Sequence, residues 1–160
     1  MTKHNFELVK RSWTIIEKID FEIVGGTFYI RLFQISPELR PMFNGVSMTE
    51  QSKKLGCMLS YVISKFDSME EVFAEVQALA QRHTKYGVKV AHYKAVGSAL
   101  MWTLEQGLGE YWTEELNTAW IDFYETLSEK MIAVQSEGNS NINKLFLTQA
   151  QTCPFKPGNM

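Results

Sequence analysis

Apolar residues recur three and four positions apart along most of the chain, a spacing that predicts helices. Phe6, Val9, Trp13 and Ile16 mark the first, over about Phe6 to Ile19. Asp20 is placed to cap a second, which runs to Ile35 with Phe21, Val24, Phe28, Leu32 and Ile35 inward. Ser36-Pro37-Glu38 opens another helical turn, with proline at its favoured first position, and Phe43-Asn44-Gly45 closes it in a loop. Met48 to about Phe66 forms a long helix capped by Ser47 or Thr49. Its apolar face holds Leu55, Met58, Leu59, Val62 and Phe66. A short helix follows a cap at Asp67-Ser68, turns Val72, Val76, Leu79 and Ala80 inward, and ends at His83. Its last turn is cationic and Gly87 stops it. Tyr93, Val96, Leu100, Leu104 and Leu108 mark the next helix, which stops near Gly107-Leu108-Gly109. Thr113-Glu114-Glu115 starts the last, with Leu116, Trp120, Phe123, Leu127, Met131 and Val134 as its stripe. No stretch alternates long enough to predict a strand, and no internal repeat is visible. From Ser136 the pattern weakens. The expectation is an all-α body over 1–135 and a tail over 136–160, in which Leu145-Phe146-Leu147 can dock on the body.

A few positions break this pattern. Gly25-Gly26 sits mid-helix, where each glycine costs about 1 kcal/mol relative to alanine. Close approach by another helix is the expected reason. Gln51 is an amide on the face of Leu55 and Met58, either solvated at the helix start or turned to an inward task. Tyr29 lies beside Phe28 and one turn before Phe33, and a buried phenol needs a partner, a backbone carbonyl or a ligand. His83 falls on the inward stripe one turn after Leu79 and Ala80. A buried neutral imidazole also needs a partner. A core hydrogen bond and a metal are both open.

Composition narrows the function. An apolar share of 45% and a charged share of 21% are those of an ordinary globule, and 160 residues suit one domain. A net charge of −2 without a basic run gives no electrostatic case for nucleic acid or acidic membranes. No segment approaches the ~18 apolar residues of a membrane span. MTKHNFELVKRSWT reads as the first helix rather than a signal peptide, so a cytoplasmic location is expected. Cys57 and Cys153 form no CxxC or zinc pattern; two free thiols are expected, with a disulfide to the tail as the alternative. His4 precedes the first helix and reads as solvated. His92 follows His83 across a loop, not at the spacing of two ligands on one face. With no H-E-x-x-H and no cysteine cluster, a metal held by several protein ligands is disfavoured. One inward histidine suffices for a porphyrin iron, because the macrocycle supplies the other four nitrogens.

These residues carry a resemblance. Trp13, Tyr29, Pro37, Phe43, Gln51, Leu55, His83 followed ten residues later by Tyr93, and Trp120 resemble a globin over about residues 5 to 135. Among globins the chain is similar to the bacterial single-domain type related to the haem domain of flavohaemoglobins. The resemblance implies a globin fold of six to eight helices around one haem b (iron protoporphyrin IX). It implies His83 as the iron ligand, Phe43, Leu55 and Tyr93 against the cofactor, and Lys54 or Lys89 near its propionates. Tyr29 and Gln51 would be the pair on the ligand side. The family joins the ligand histidine to a Tyr and a Glu through hydrogen bonds. Tyr93 matches the first, but the Glu position falls on Gln135, an uncharged amide. That departure weakens the case for peroxidase-like O–O cleavage and leaves gas binding intact.

The activity so implied is reversible, high-affinity binding of dioxygen, with carbon monoxide and nitric oxide as further ligands. The alternative is a nitric oxide dioxygenase, which detoxifies nitric oxide to nitrate. No G-x-G-x-x-G occurs in these residues, so it would need an external reductase. A haemless signalling globin is a third reading, against which His83, Tyr29 and Gln51 together argue. A monomer or homodimer is expected.

Overall fold

Thr2 opens the first helix earlier than the apolar stripe suggests, because its hydroxyl accepts from the Asn5 N–H at 3.1 Å. In the computed structural model, which describes residues 1–137 (the backbone alone at 69–71), the chain is α-helical. The order is α1 (Lys3–Ile16), α2 (Phe21–Ile35), a 3₁₀ turn (Pro37–Phe43), α3 (Met48–Lys65), a second 3₁₀ turn (Phe66–Ser68), α4 (Met69–Lys85), α5 (Val90–Leu108), a third 3₁₀ turn (Gly109–Tyr111) and α6 (Glu114–Glu137). No strand occurs among the described residues. This agrees with the all-α body that the helical spacing predicts. Among these residues no helix is long and apolar enough to cross a membrane.

Local chemistry explains most of the boundaries. Asp20 accepts from the Glu22 N–H at 2.9 Å and Ser47 from the Glu50 N–H at 3.4 Å. Thr113 does the same for Leu116 at 3.1 Å. Thr49 does not cap α3; its hydroxyl donates to Glu22 at 3.4 Å. Gly87 takes φ +85°, a conformation that suits glycine, and ends the turn after α4. α1 stops at Ile16 rather than Ile19. Lys18 and Ile19 make tighter bonds three residues back, to Ile15 and Ile16, and free Asp20 for α2. Ile35 is 38% exposed, not inward. The chain turns at Ser36-Pro37, and Leu39 is the buried residue at that end. α4 starts without a side-chain bond from Ser68 and ends at Lys85, its last turn carrying Arg82, His83 and Lys85 as expected.

α1 packs on α6, α2 on α3 and α5, and α4 on α6. Two indoles lie in the core. Trp13 donates to Ser60 at 2.8 Å, and Trp120 donates to Ser12 at 2.9 Å. Each ties two helices together while its ring stays buried. Phe66 sits between Phe6 and Phe123, with ring centroids 4.9 and 5.1 Å away. α6 continues to Glu137, past the boundary expected at 135. The proposed docking of Leu145-Phe146-Leu147 falls outside the described residues, as does Cys153.

Candidate functional site

Where α2 crosses α3 the two backbones touch. A Cβ on Gly25 would lie 2.5 Å from Ser52 Cα and 2.6 Å from its carbonyl oxygen, so only glycine fits. A Cβ on Gly56 would run into the Phe21 ring. The expected close approach therefore holds at Gly25. It does not hold at Gly26, where a Cβ would meet nothing within 4 Å.

That crossing brings Tyr29, one turn beyond Gly25, to Gln51, the neighbour of Ser52. Gln51 Nε2 donates to the Tyr29 hydroxyl at 3.1 Å. The phenol accepts there, so its own proton is left for another acceptor. Burial pushes the Tyr29 pKa up to about 12, with the Gln51 bond opposing slightly. Near neutral pH the group is a hydrogen-bond donor. Phe43 stands edge-on to Tyr29 with centroids 5.2 Å apart, and Phe33 edge-on to Phe43 at 5.4 Å. Leu55, one turn after Gln51, is partly buried against the core, and Lys54 beside it is partly buried as well.

His83 lies in the last turn of α4. Its Nδ1 is 2.8 Å from the Leu79 carbonyl. A carbonyl can only accept, so Nδ1 carries the proton and Nε2 keeps the lone pair. Among the described residues nothing bonds to Nε2. Burial holds the imidazole below its usual pKa; the Leu79 carbonyl opposes this and Arg82 adds to it. The other two histidines are engaged. His4 is exposed, with Nε2 2.8 Å from Glu115. His92 Nδ1 accepts from the Lys89 N–H at 3.0 Å at the start of α5.

The expected chain from His83 through Tyr93 to Gln135 is not formed. Leu79 has taken Nδ1, because His83 sits inside α4, where the carbonyl four residues back is in reach. The buried Tyr93 hydroxyl has no partner. Gln135 Nε2 donates to the Val88 carbonyl at 2.8 Å, and its Oε1 is unpartnered. Val88 N–H in turn donates to the His83 carbonyl at 3.0 Å. Gln135 thus holds the backbone after His83, not its ring. Tyr124 is a residue that sequence reasoning missed. Its hydroxyl donates to the Tyr93 carbonyl at 2.5 Å, and a Cβ on Gly97 would lie 2.6 Å from its ring. The mid-helix Gly97 was the available signal. The expectation of free thiols is corrected at Cys57. It is buried in α3 just beyond Leu55, and it is disulfide-bonded.

Among the described residues no group of three or more His, Cys, Asp or Glu could share a metal ion. One neutral imidazole of fixed tautomer, and a phenol donor packed among Phe33 and Phe43, suit a flat macrocycle that brings its own nitrogens.

The globin family model matches residues 26–131. The chain is 31% identical over 127 residues to an anaerobic nitrite reductase of Oryza sativa subsp. indica, covering 76% of this chain and 87% of that protein. It is 27% identical over 146 residues to an anaerobic nitrite reductase of Physcomitrium patens, covering 82% and 81%. A flavohemoprotein of Rhizobium meliloti is 27% identical over 139 residues, covering 86% of this chain but 34% of that protein.

Proposed function

The chain belongs to the globin family, and on that premise we propose that it is a haem-b protein that reversibly binds dioxygen, and with it carbon monoxide and nitric oxide. Bound haem supplies an iron at which such gases bind and leave. His83 Nε2 would hold that iron. Phe43, Leu55 and Tyr93 would pack on the macrocycle, and Lys54 and Lys89 would serve its propionates.

The Gln51–Tyr29 hydrogen bond carries this reading. It leaves the phenol proton to meet partial negative charge on bound dioxygen. Hydrogen bonds to charged groups contribute about 1.5–3 kcal/mol, which slows escape by about ten- to a hundredfold. Gln51 steadies the phenol oxygen, and Phe43 keeps the ring in place.

A second reading is supported by the plant and moss relatives, which are named for nitrite reduction and are matched over most of their length. Tyr29 would then hold a nitrite oxygen. With its pKa pushed up to about 12, the phenol would orient the anion, and the protons would come from solvent. Electrons would come from an external reductase, as they would for nitric oxide dioxygenation.

The test is the absorption spectrum of the purified, reduced protein. A ferrous spectrum that changes on adding dioxygen and returns on evacuation is expected. Protein that takes up no haem, or oxidises at once without an oxygenated form, overturns the binder. Sustained consumption of nitrite or nitric oxide with a chemical reductant would favour the enzyme readings.

A further inference from the structure

Gly25 and Gly26 are neighbours with opposite surroundings. Gly25 is pressed against Ser52, whereas a Cβ on Gly26 would meet nothing within 4 Å. Nor does Gly26 have a positive φ. Neither contact nor backbone conformation calls for glycine there, and glycine weakens a helix relative to alanine. The side of α2 that Gly26 leaves bare opens on a cleft of about 460 Å³ between α2, the Pro37–Phe43 turn and the first turn of α3. Ile30, Phe33 and Met48 give it apolar walls, and Gln34, Arg40 and Ser52 form its polar part. The exposed Arg40 lies over the Phe33 ring, 5.5 Å from its centroid. Tyr29, only 6% exposed, belongs to the same lining and is the residue that Gln51 holds.

We propose that this cleft is the route by which diatomic gases reach Tyr29, and that Gly26 keeps it open. The inference rests on the gas-binding reading. Dioxygen, carbon monoxide and nitric oxide are apolar enough to prefer such walls to water. The space far exceeds the ~30 Å³ share of a water molecule in the liquid. Met48, the first residue of α3, has an unbranched side chain that can swing aside. Gly25 seals the helix crossing one residue away, so the glycine pair places an opening next to a closed contact.

Gly26→Leu tests this, because leucine is a good helix former and its Cβ has room. A plug raises the barrier to entry and exit alike. Carbon monoxide association and dissociation should both slow about tenfold, with equilibrium affinity unchanged. Gly26→Ala, which leaves most of the space, should stay near wild-type rates. Xenon enters dry apolar cavities. In ¹²⁹Xe NMR or xenon-pressurised crystals of the protein as purified, xenon should occupy the wild-type cleft and be absent from Gly26→Leu. On haem-loaded protein, an unchanged association rate in Gly26→Leu, a loss of affinity through faster dissociation, or a wild-type cleft without xenon overturns the route alone. Protein that takes up no haem overturns the gas-binding reading itself, and the route with it.

Discussion

The two sides of the site are built differently. On the α2–α3 side, side chains of separate elements answer one another: Gln51 donates to Tyr29, and Phe43 and Phe33 bracket the phenol. A helix crossing with no room for a Cβ holds them there. On the α4–α6 side the imidazole answers only its own helix. His83 bonds to Leu79, Gln135 turns to Val88, and the Tyr93 hydroxyl is unpartnered. On the gas-binding reading, the ligand side would be specified by packing between elements and the iron side by one carbonyl inside one helix. Gas selectivity would then be the tightly held property, and the push of the imidazole on iron would be weak. A neutral carbonyl orients a histidine but raises its basicity less than a carboxylate would.

The largest expected effect lies on the iron side. His83→Leu should abolish haem uptake, because the buried His83 keeps its proton on Nδ1 and so offers the Nε2 lone pair, whereas His4 is exposed beside Glu115 and His92 uses its Nδ1 lone pair on the Lys89 N–H. His4→Leu and His92→Leu should retain it. Haem content after reconstitution decides the matter. Haem retained by His83→Leu and lost by His92→Leu would reverse the assignment and the contrast between the two sides.

Next comes the crossing itself. Gly25→Ala puts a Cβ against the Ser52 backbone, which must shift. Overpacking of this kind costs about 1–3 kcal/mol, read as a lower midpoint in urea. Since Ser52 adjoins Gln51, dioxygen dissociation should quicken too. Gly26→Ala, with open space around it, should stabilise by about 0.4–1 kcal/mol. If the two variants behave alike, the crossing does not hold the ligand side.

Tyr29→Phe probes the donor with little change in packing. Dioxygen takes electron density on binding, whereas carbon monoxide stays nearly neutral, so a donor favours the first. Dioxygen dissociation should rise at least about tenfold, ~1.4 kcal/mol, and carbon monoxide dissociation much less. Gln51→Leu should act in the same direction more weakly. The two effects should not add, because Gln51 works through Tyr29. Stopped-flow release of both gases reads this. Equal acceleration of the two would make Tyr29 a steric gate.

Much of this was legible in the sequence where the cause is local. Asp20 and Ser47 announce helix starts, Gly87 a stop, and the apolar stripes the core, because each acts within a turn of itself. Tyr29 and Gln51 stood out as polar groups on apolar faces, and the structure joins them. What could not be read are choices made across helices at ångström scale. Sequence does not separate Gly25, which is needed for contact, from Gly26, which is not. Nor does it show that the Leu79 carbonyl, and not Tyr93, takes Nδ1 of His83. Gln135 stands where a carboxylate was expected, yet its role depends on Val88, a loop residue with no periodic signal. Spacing likewise could not decide between a free thiol and a disulfide at Cys57.

The smallest effect is expected at Tyr93, and it tests the iron side most directly. The hydroxyl is buried without a partner, and burial raises its pKa above the usual phenol value. Removing an unsatisfied polar group takes away a desolvation penalty and breaks no bond. Tyr93→Phe should therefore leave the thermal midpoint unchanged or raise it, by no more than about 1 kcal/mol of stability. The ring and the Tyr124 bond to the Tyr93 carbonyl both survive the substitution. In the haem-loaded protein the iron–histidine stretching frequency, read by resonance Raman, should not move, because Leu79 and not Tyr93 holds Nδ1. A fall in that frequency together with a lower midpoint would mean that the phenol reaches His83 once haem is bound. The two sides of the site would then be held alike, each by a bond between separate helices.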